Sequence, residues 1–365
     1  MSEDSLQPSQ KPSRNYRIVA LPGEGIGPEV VEASLSILEA IAQISGFTVT
    51  IDRGWIGEPA RQQFGTPLPP KTLQLCEGAD GIVFGAVTQG GLLELRRHFD
   101  LFANLRPVCP APSLLEASPI KAERLQGVDL LFVRELVSGL YFGESGRAVD
   151  SHGGYGFHTM YYADAQIRRI AKVALQQAQA RRCQLCVAHK ENALPMIPWT
   201  QLVQEVAADF PDVTVTPMLV DNLAMQLVMR PQDFDVILAG NLFGDILSDL
   251  GGAIAGSIGL LGSASLNAEG FGLYEAVHGT APDIAGKGIA NPLGTLAGVI
   301  LMLEQWHEKI AAHHLKVIQA ELLTQGYRSP DLMQKMQKNH ALPQQSVTTR
   351  EWVDLFIAAI AQRGG

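Results

Sequence analysis

Cysteine is scarce in this chain, basic residues are outnumbered, and no apolar run is long. Four cysteines (Cys76, Cys109, Cys183 and Cys186) in 365 residues exclude a disulfide-built scaffold and suit a reduced, cytoplasmic setting. Cys183 and Cys186 have the spacing of a zinc or redox pair. No second pair completes a zinc site, and the two flank the entry to an apolar strand, so they read as structural thiols. The stretches Gly251–Gly262 and Leu296–Leu303 are too short for a membrane span. A net charge of −9 argues against a nucleic-acid or anionic-membrane surface, so any acidic small molecule must be held by locally placed arginines. Residues 1–15 are polar, rich in Ser, Gln and Pro, and carry no apolar signal core. They read as a disordered tail.

The length exceeds that at which one core usually stops growing, which predicts two domains. Strand patterns fall at Tyr16–Leu21, Thr48–Asp52, Gly81–Ala86, Leu130–Arg134, Leu185–Ala188, Val213–Met218 and Phe234–Ala239. Helical patterns fall between them at Pro28–Ile44, Asp164–Arg182, Pro198–Phe210 and Asp221–Met229, then at Pro292–His307 and Val317–Leu323. This alternation predicts an α/β protein with helices packed on a largely parallel or mixed sheet. Ser138–Tyr162 breaks the pattern, with glycines alternating with aromatics. An extended arm pairing with another subunit and a mobile surface loop both fit it.

The most informative segment runs from Gly240 to Gly252. Asp245 and Asp249 are four apart, so both carboxylates leave one face of a helix and repel unless a cation sits between them. Such oxygens suit Mg²⁺ or Mn²⁺, although acids near a helix start also answer the helix dipole. Arg96 lies on a helical stretch, with Arg106 and Arg134 on apolar strands. An arginine on a buried strand needs a partner, either a local acid or a bound carboxylate.

Two glycine-rich loops stand out. Gly23–Gly27 approaches a dinucleotide fingerprint, but Pro28 occupies the third glycine position and looks like a first-turn helix proline. His278–Pro292 offers small residues and free backbone N–H groups to phosphates. Asp283 there could accept from a ribose diol and repel a 2′-phosphate, which favours NAD over NADP. Taken singly, Tyr141, Lys190 and Asp221 read as a packed tyrosine, a solvated lysine and an N-cap.

Taken together, these segments resemble the 3-isopropylmalate dehydrogenase family, within the isocitrate/isopropylmalate group of β-hydroxyacid oxidative decarboxylases. The likeness runs from Tyr16 nearly to the C-terminus and is most specific in Leu92–Pro107, Val133–Gly143, Asn241–Asp249 and His278–Pro292. It implies a two-domain α/β fold with mixed sheets that is not a Rossmann fold. The first domain would comprise residues 16–103 and 256–365, the second 104–255, with a dimerisation arm near 138–162. It also implies a homodimer with shared active sites, and NAD and Mg²⁺ or Mn²⁺ as cofactors. Arg96, Arg106 and Arg134 would hold the malate carboxylates, with Leu92 and Leu93 against the C3 substituent. Asp245, Asp249 and a second subunit's Asp221 would hold the metal, and Asp221 would also touch substrate. Tyr141, Lys190 and Asp221 would be catalytic. Glu275, His278, Gly279, Thr280, Ala281, Pro282, Asp283, Ile284, Ala285, Asn291 and Asn192 would meet NAD.

The activity so implied is NAD-dependent oxidative decarboxylation of 3-isopropylmalate to 4-methyl-2-oxopentanoate in leucine biosynthesis. Alternatives are a paralogue for a bulkier acid such as 3-benzylmalate, a tartrate or homoisocitrate dehydrogenase, or an inactive ligand-binding paralogue. Two departures stand out. Only Thr88-Gln89-Gly90-Gly91 separates Val87 from Leu92, where the family has a much longer loop, and Glu191 and Ala193 flank Asn192 without evident reason.

Overall fold

The computed structural model describes residues 14–333 and 344–364. β1 (Arg14–Gly23) leads through α1 (Gly27–Ser45) to β2 (Phe47–Arg53), then α2 (Glu58–Phe64), α3 (Pro70–Glu77) and β3 (Gly81–Ala86). α4 (Leu92–His98) precedes the paired β4 (Ala103–Val108) and β5 (Leu130–Glu135). A hairpin, β6 (Ser145–Asp150) and β7 (Gly153–His158), is followed by α5 (Asp164–Gln179), β8 (Gln184–His189), α6 (Trp199–Ala207) and β9 (Thr214–Leu219). Next come α7 (Val220–Met229), β10 (Val236–Ala239), α8 (Asn241–Ala255), β11 (Gly262–Leu266) and β12 (Gly272–Ala276). α9 (Leu293–Gln305), α10 (Lys309–Thr324), the short β13 (Tyr327–Arg328) and β14 (Gln345–Ser346), and α11 (Thr349–Gly364) close the chain.

Ten strands form one sheet in the order β2-β1-β3-β12-β11-β4-β5-β10-β8-β9. The neighbours β2 to β12 run parallel, as do β5 to β9. Between them, β12–β11, β11–β4 and β4–β5 are antiparallel. The mixed sheet agrees with the α/β expectation, and its direction reverses at the centre. β3, β5 and β10 are buried along their whole length, as continuous apolar strands covered on both faces are.

The core gathers on either side of the β11–β4 seam. Two clusters draw almost wholly on residues 18–101 and 264–360, around Leu38, Phe84, Trp352 and Phe356. Two others draw on residues 102–261, around Phe132, Ile170, Leu227 and Ile254. β1 starts at Arg14, so Arg14 and Asn15 pair with Phe47 and Thr48 instead of belonging to a tail. The rest of that expected tail, residues 1–13, lies outside the described residues. The Ser138–Tyr162 stretch contains the exposed antiparallel β6–β7 hairpin, with Val149, Tyr155 and Phe157 open to solvent.

Candidate active site

The site grows out of strand register. Asn104 on β4 sits opposite Arg134 on β5 and opposite Ser265 on β11, and Ser263 sits opposite Glu275 on β12. Residues directly across a ladder share a face, and so do residues two apart on one strand. Arg134, Asn104, Arg106, Ser263, Ser265 and Glu275 therefore line one face at the centre of the sheet. Side-chain bonds follow that layout: Asn104 Nδ2 donates to Ser263 Oγ at 2.8 Å and Ser265 Oγ at 3.1 Å. α8 lies over this face and contributes acids.

Arg134 Nη1 donates to Asp245 Oδ1 at 2.5 Å. Arg106 Nη1 lies 3.2 Å from Asp249 Oδ1, 3.7 Å from Asp245 Oδ1 and 2.8 Å from Ser248 Oγ. It is thus the cation that lets two carboxylates stand one helical turn apart. Arg96 Nη2, from α4, donates to Glu275 Oε1 at 2.6 Å. The Tyr141 hydroxyl, in the 3-10 turn Gly139–Tyr141, donates to Asp245 Oδ2 at 2.9 Å. The three guanidiniums repel one another at close range. That repulsion, second to burial, holds Arg134 down at about 10. Burial likewise lowers Arg106. At neutral pH Arg134 still carries its charge.

Arg96, Arg106 and Arg134 are only 7%, 6% and 2% exposed, yet the Nε atoms of Arg96 and Arg106 have no partner within the chain. Unpaired buried donors are costly, so the cluster carries hydrogen-bonding capacity that the chain itself leaves unmet. Burial raises the carboxyl of Asp249 above its ordinary range. Burial, then the bond to Asp245, raises the phenol of Tyr141, which keeps its proton at neutral pH. Leu92 and the more exposed Leu93 lie in the first turn of α4, next to this cluster along the chain.

Lys190, just past β8, and Asp221, in the first turn of α7, pair with each other at 2.6 Å. That hydrogen bond pulls the Asp221 carboxyl below its usual range. Among the described residues no three His, Cys, Asp or Glu side chains gather to hold a metal, so Asp221 does not join Asp245 and Asp249 within one chain. Asn192 is exposed in the turn after Lys190.

The two glycine loops meet. Gly25 has a φ of +65°, and a Cβ there would strike the Thr280 carbonyl oxygen at 2.0 Å, while Ile26 N donates to the same oxygen at 2.9 Å. The first loop is therefore a seat for the second. Ala281, Ile284 and Ala285 pack against Ile26, Val30 and Ala290, and Ala290 N is held by Glu29 at 2.9 Å. Between these anchors, Gly279, Gly286 and Gly288 face open space, and Pro282 and Asp283 are exposed. Burial lowers the imidazole of His278. Its Nδ1 lies 2.9 Å from the Gly279 carbonyl, and its buried Nε2 has no partner. Asn291 is committed to structure, accepting from Leu293 N and donating to Asp331.

Glu275, which the resemblance grouped with the cofactor residues, is found as the buried counter-ion of Arg96. Residues missed from the sequence include Asn241, whose Oδ1 accepts from Arg134 Nε at 3.1 Å and Nη2 at 2.7 Å, and whose Nδ2 donates to the carbonyls of Leu136 and Ser138. A buried asparagine opening a helix straight after an apolar strand was the available signal. Arg97 was also missed. It lies 4.8 Å over the Phe142 ring, joining α4 to the Tyr141 turn. Asn241→Ala would strand two guanidinium donors and two carbonyls in the interior. At roughly 1 kcal/mol for each of the four unsatisfied groups, a loss of about 4 kcal/mol in urea unfolding is expected.

A mixed α/β sheet here presents three buried arginines and paired acids at its seam, a charged site of the kind found in enzymes. The sequence profile described as isocitrate/isopropylmalate dehydrogenase matches residues 17–355. A 3-isopropylmalate dehydrogenase of Aquifex aeolicus is 43% identical over 336 residues, covering 87% of this chain and 92% of the relative. The crystal structure of isocitrate dehydrogenase from Methylococcus capsulatus superposes with a TM-score of 0.84 at 31% identity, covering 94% of this chain and 99% of the other. A beta-decarboxylating dehydrogenase from Thermococcus kodakarensis superposes with a TM-score of 0.76 at 31% identity, over 95% and 96% of the two chains. The chain belongs to the isocitrate/isopropylmalate dehydrogenase family and is an oxidoreductase.

Proposed function

We propose that this enzyme carries out NAD-dependent oxidative decarboxylation of a 3-substituted malate, 3-isopropylmalate in leucine biosynthesis being the leading substrate. The observation that carries this reading is the convergence of Arg96, Arg106 and Arg134 beside Asp245, Asp249 and Tyr141, with donors to spare. The name borne by relatives at 43% identity supports it. Two domains divided near residues 103 and 255, and a homodimer that brings Lys190 and Asp221 to a second copy's Asp245, complete the proposal. No described helix is long and apolar enough to cross a membrane.

The residues fit the implied groups. Asp245 and Asp249 offer hard oxygen donors of the kind Mg²⁺ or Mn²⁺ takes, with Asp221 of a second copy as the third. The open glycines, exposed Asp283 and unpartnered His278 Nε2 of the 278–291 loop suit NAD. When bound, the cation would supply positive charge at the C2 oxygen and NAD the hydride acceptor. The arginines fix the two carboxylates and so select one orientation of C2 and C3. Lys190, with Asp221, takes the C2 hydroxyl proton. Tyr141, protonated at neutral pH, returns a proton to C3 once CO₂ has left.

The placement of the short loop favours a second reading of the substituent. A Cβ on Gly90 would lie 2.9 Å from Pro67, and one on Gly91 would lie 2.7 Å from Ile56, so the loop is pressed back onto residues 56–67. Leu93 is left 42% exposed. An apolar group bulkier than isopropyl, such as benzyl, then has room. NADH formation with a panel of 3-substituted malates tests both readings. Turnover of 3-isopropylmalate is expected, and comparable turnover of 3-benzylmalate would establish the wider pocket. Absence of NADH with every 3-alkyl or 3-aryl malate would sink the proposal.

A further inference from the structure

Glu191 follows Lys190 directly, and none of the chemistry above uses it. Its Oε1 accepts from the backbone N–H of Thr200 at 2.7 Å, in the first turn of α6. That turn has no side-chain cap from its own N-cap residue, Pro198, so Glu191 satisfies a donor the helix would otherwise leave bare. Glu191 Oε2 lies 3.3 Å from His189 Nδ1, and the Glu191 N–H lies 3.4 Å from the same nitrogen. The Lys190 carbonyl meanwhile accepts from Ala193 N at 2.9 Å and Leu194 N at 2.8 Å. The anchor is firm, because Trp199, Leu202 and Val203 of α6 are buried in the cluster that holds β8 and α5. A lysine amine on a flexible four-carbon stem is placed only as well as its backbone is held.

We infer that Glu191 is a positioning residue: by tying α6 to both sides of Lys190, its carboxylate fixes where the Lys190 amine stands relative to Asp221 and substrate. This rests on the reading of Lys190 as proton acceptor. The test compares Glu191→Ala and Glu191→Gln in the full chain. Gln keeps an acceptor for Thr200 N–H and an amide toward His189, whereas Ala keeps neither. A displaced base costs turnover more than binding, so Glu191→Ala should lower kcat about tenfold to a hundredfold, leave KM for the malate nearly unchanged and raise the solvent deuterium isotope effect on kcat. Glu191→Gln should restore most of the turnover. Wild-type kcat in Glu191→Ala would overturn the inference. Equal losses in Ala and Gln that track the melting temperature would do so too. Lys190→Ala separates the two claims. If it is inactive while Glu191→Ala is normal, only the positioning role fails, and if it is fully active, the reading of Lys190 fails.

Discussion

Replacing Asp245 with Asn is expected to cost about a thousandfold in kcat and about 2 kcal/mol of stability. One carboxylate here serves three neighbours: Arg134 at 2.5 Å, Arg106 at 3.7 Å and the Tyr141 hydroxyl at 2.9 Å. Asn keeps the shape and an acceptor oxygen, so the packing of α8 survives. What disappears is a negative charge between two guanidiniums that burial has already made expensive. Removing one member of a fully buried pair typically costs about 3–5 kcal/mol. The lower figure applies because the Asp245 side chain is 33% exposed and water screens part of the loss. The catalytic loss is larger than the structural one because the same charge is proposed to hold the cation and orient Tyr141. Thermal or urea unfolding measured beside kcat separates the two. A variant with normal turnover would show that Asp245 is only a structural counter-ion.

Much of this arrangement was legible from the chain, for reasons that can be named. Helix periodicity put Asp245 and Asp249 on one face, and their mutual repulsion demanded a cation, which the structure supplies as Arg106. Buried strands at β3, β5 and β10 announced themselves as continuous apolar runs. β11 did not, because Gly262-Ser263-Ala264-Ser265-Leu266 has neither bulk nor alternation. It is a strand because its small residues fit beneath α9, where a Cβ on Gly262 would meet Gly298 N at 2.5 Å. α11 was missed although a local signal was there: Glu351 Oε2 accepts from Thr348 N at 2.7 Å and Thr348 Oγ1 accepts from Glu351 N at 3.2 Å, a Thr-x-x-Glu capping box at the helix start. The role of Glu275 was hidden for a different reason. Its pairing with Arg96 spans 179 positions and depends on strand order, which no local spacing encodes. Gly244 shows the limit most clearly. Nothing in the sequence asks for glycine inside α8, yet a Cβ there would lie 2.7 Å from Arg134 Cγ.

Mixing two inactive variants is expected to restore activity. Lys190 and Asp221 pair with each other, while Asp245, Asp249, the three arginines and Tyr141 form another group, and among the described residues of one chain no metal-holding set unites them. If a working site takes the first pair from one subunit and the second group from its partner, Lys190→Ala and Asp245→Asn chains spoil opposite contributions. Each homodimer is then dead at both sites. A mixed dimer has one site with both defects and one with neither. Random association makes about half the dimers mixed, so co-expressed or co-refolded chains should reach about a quarter of wild-type specific activity. Lys190→Ala should leave the fold intact, since the Asp221 side chain it releases is 64% exposed. Activity that stays at the sum of the two parents would mean that each chain assembles its own site. Lys190 would then have to reach Asp245 by a movement within one subunit, and the two-subunit reading of the site would be wrong.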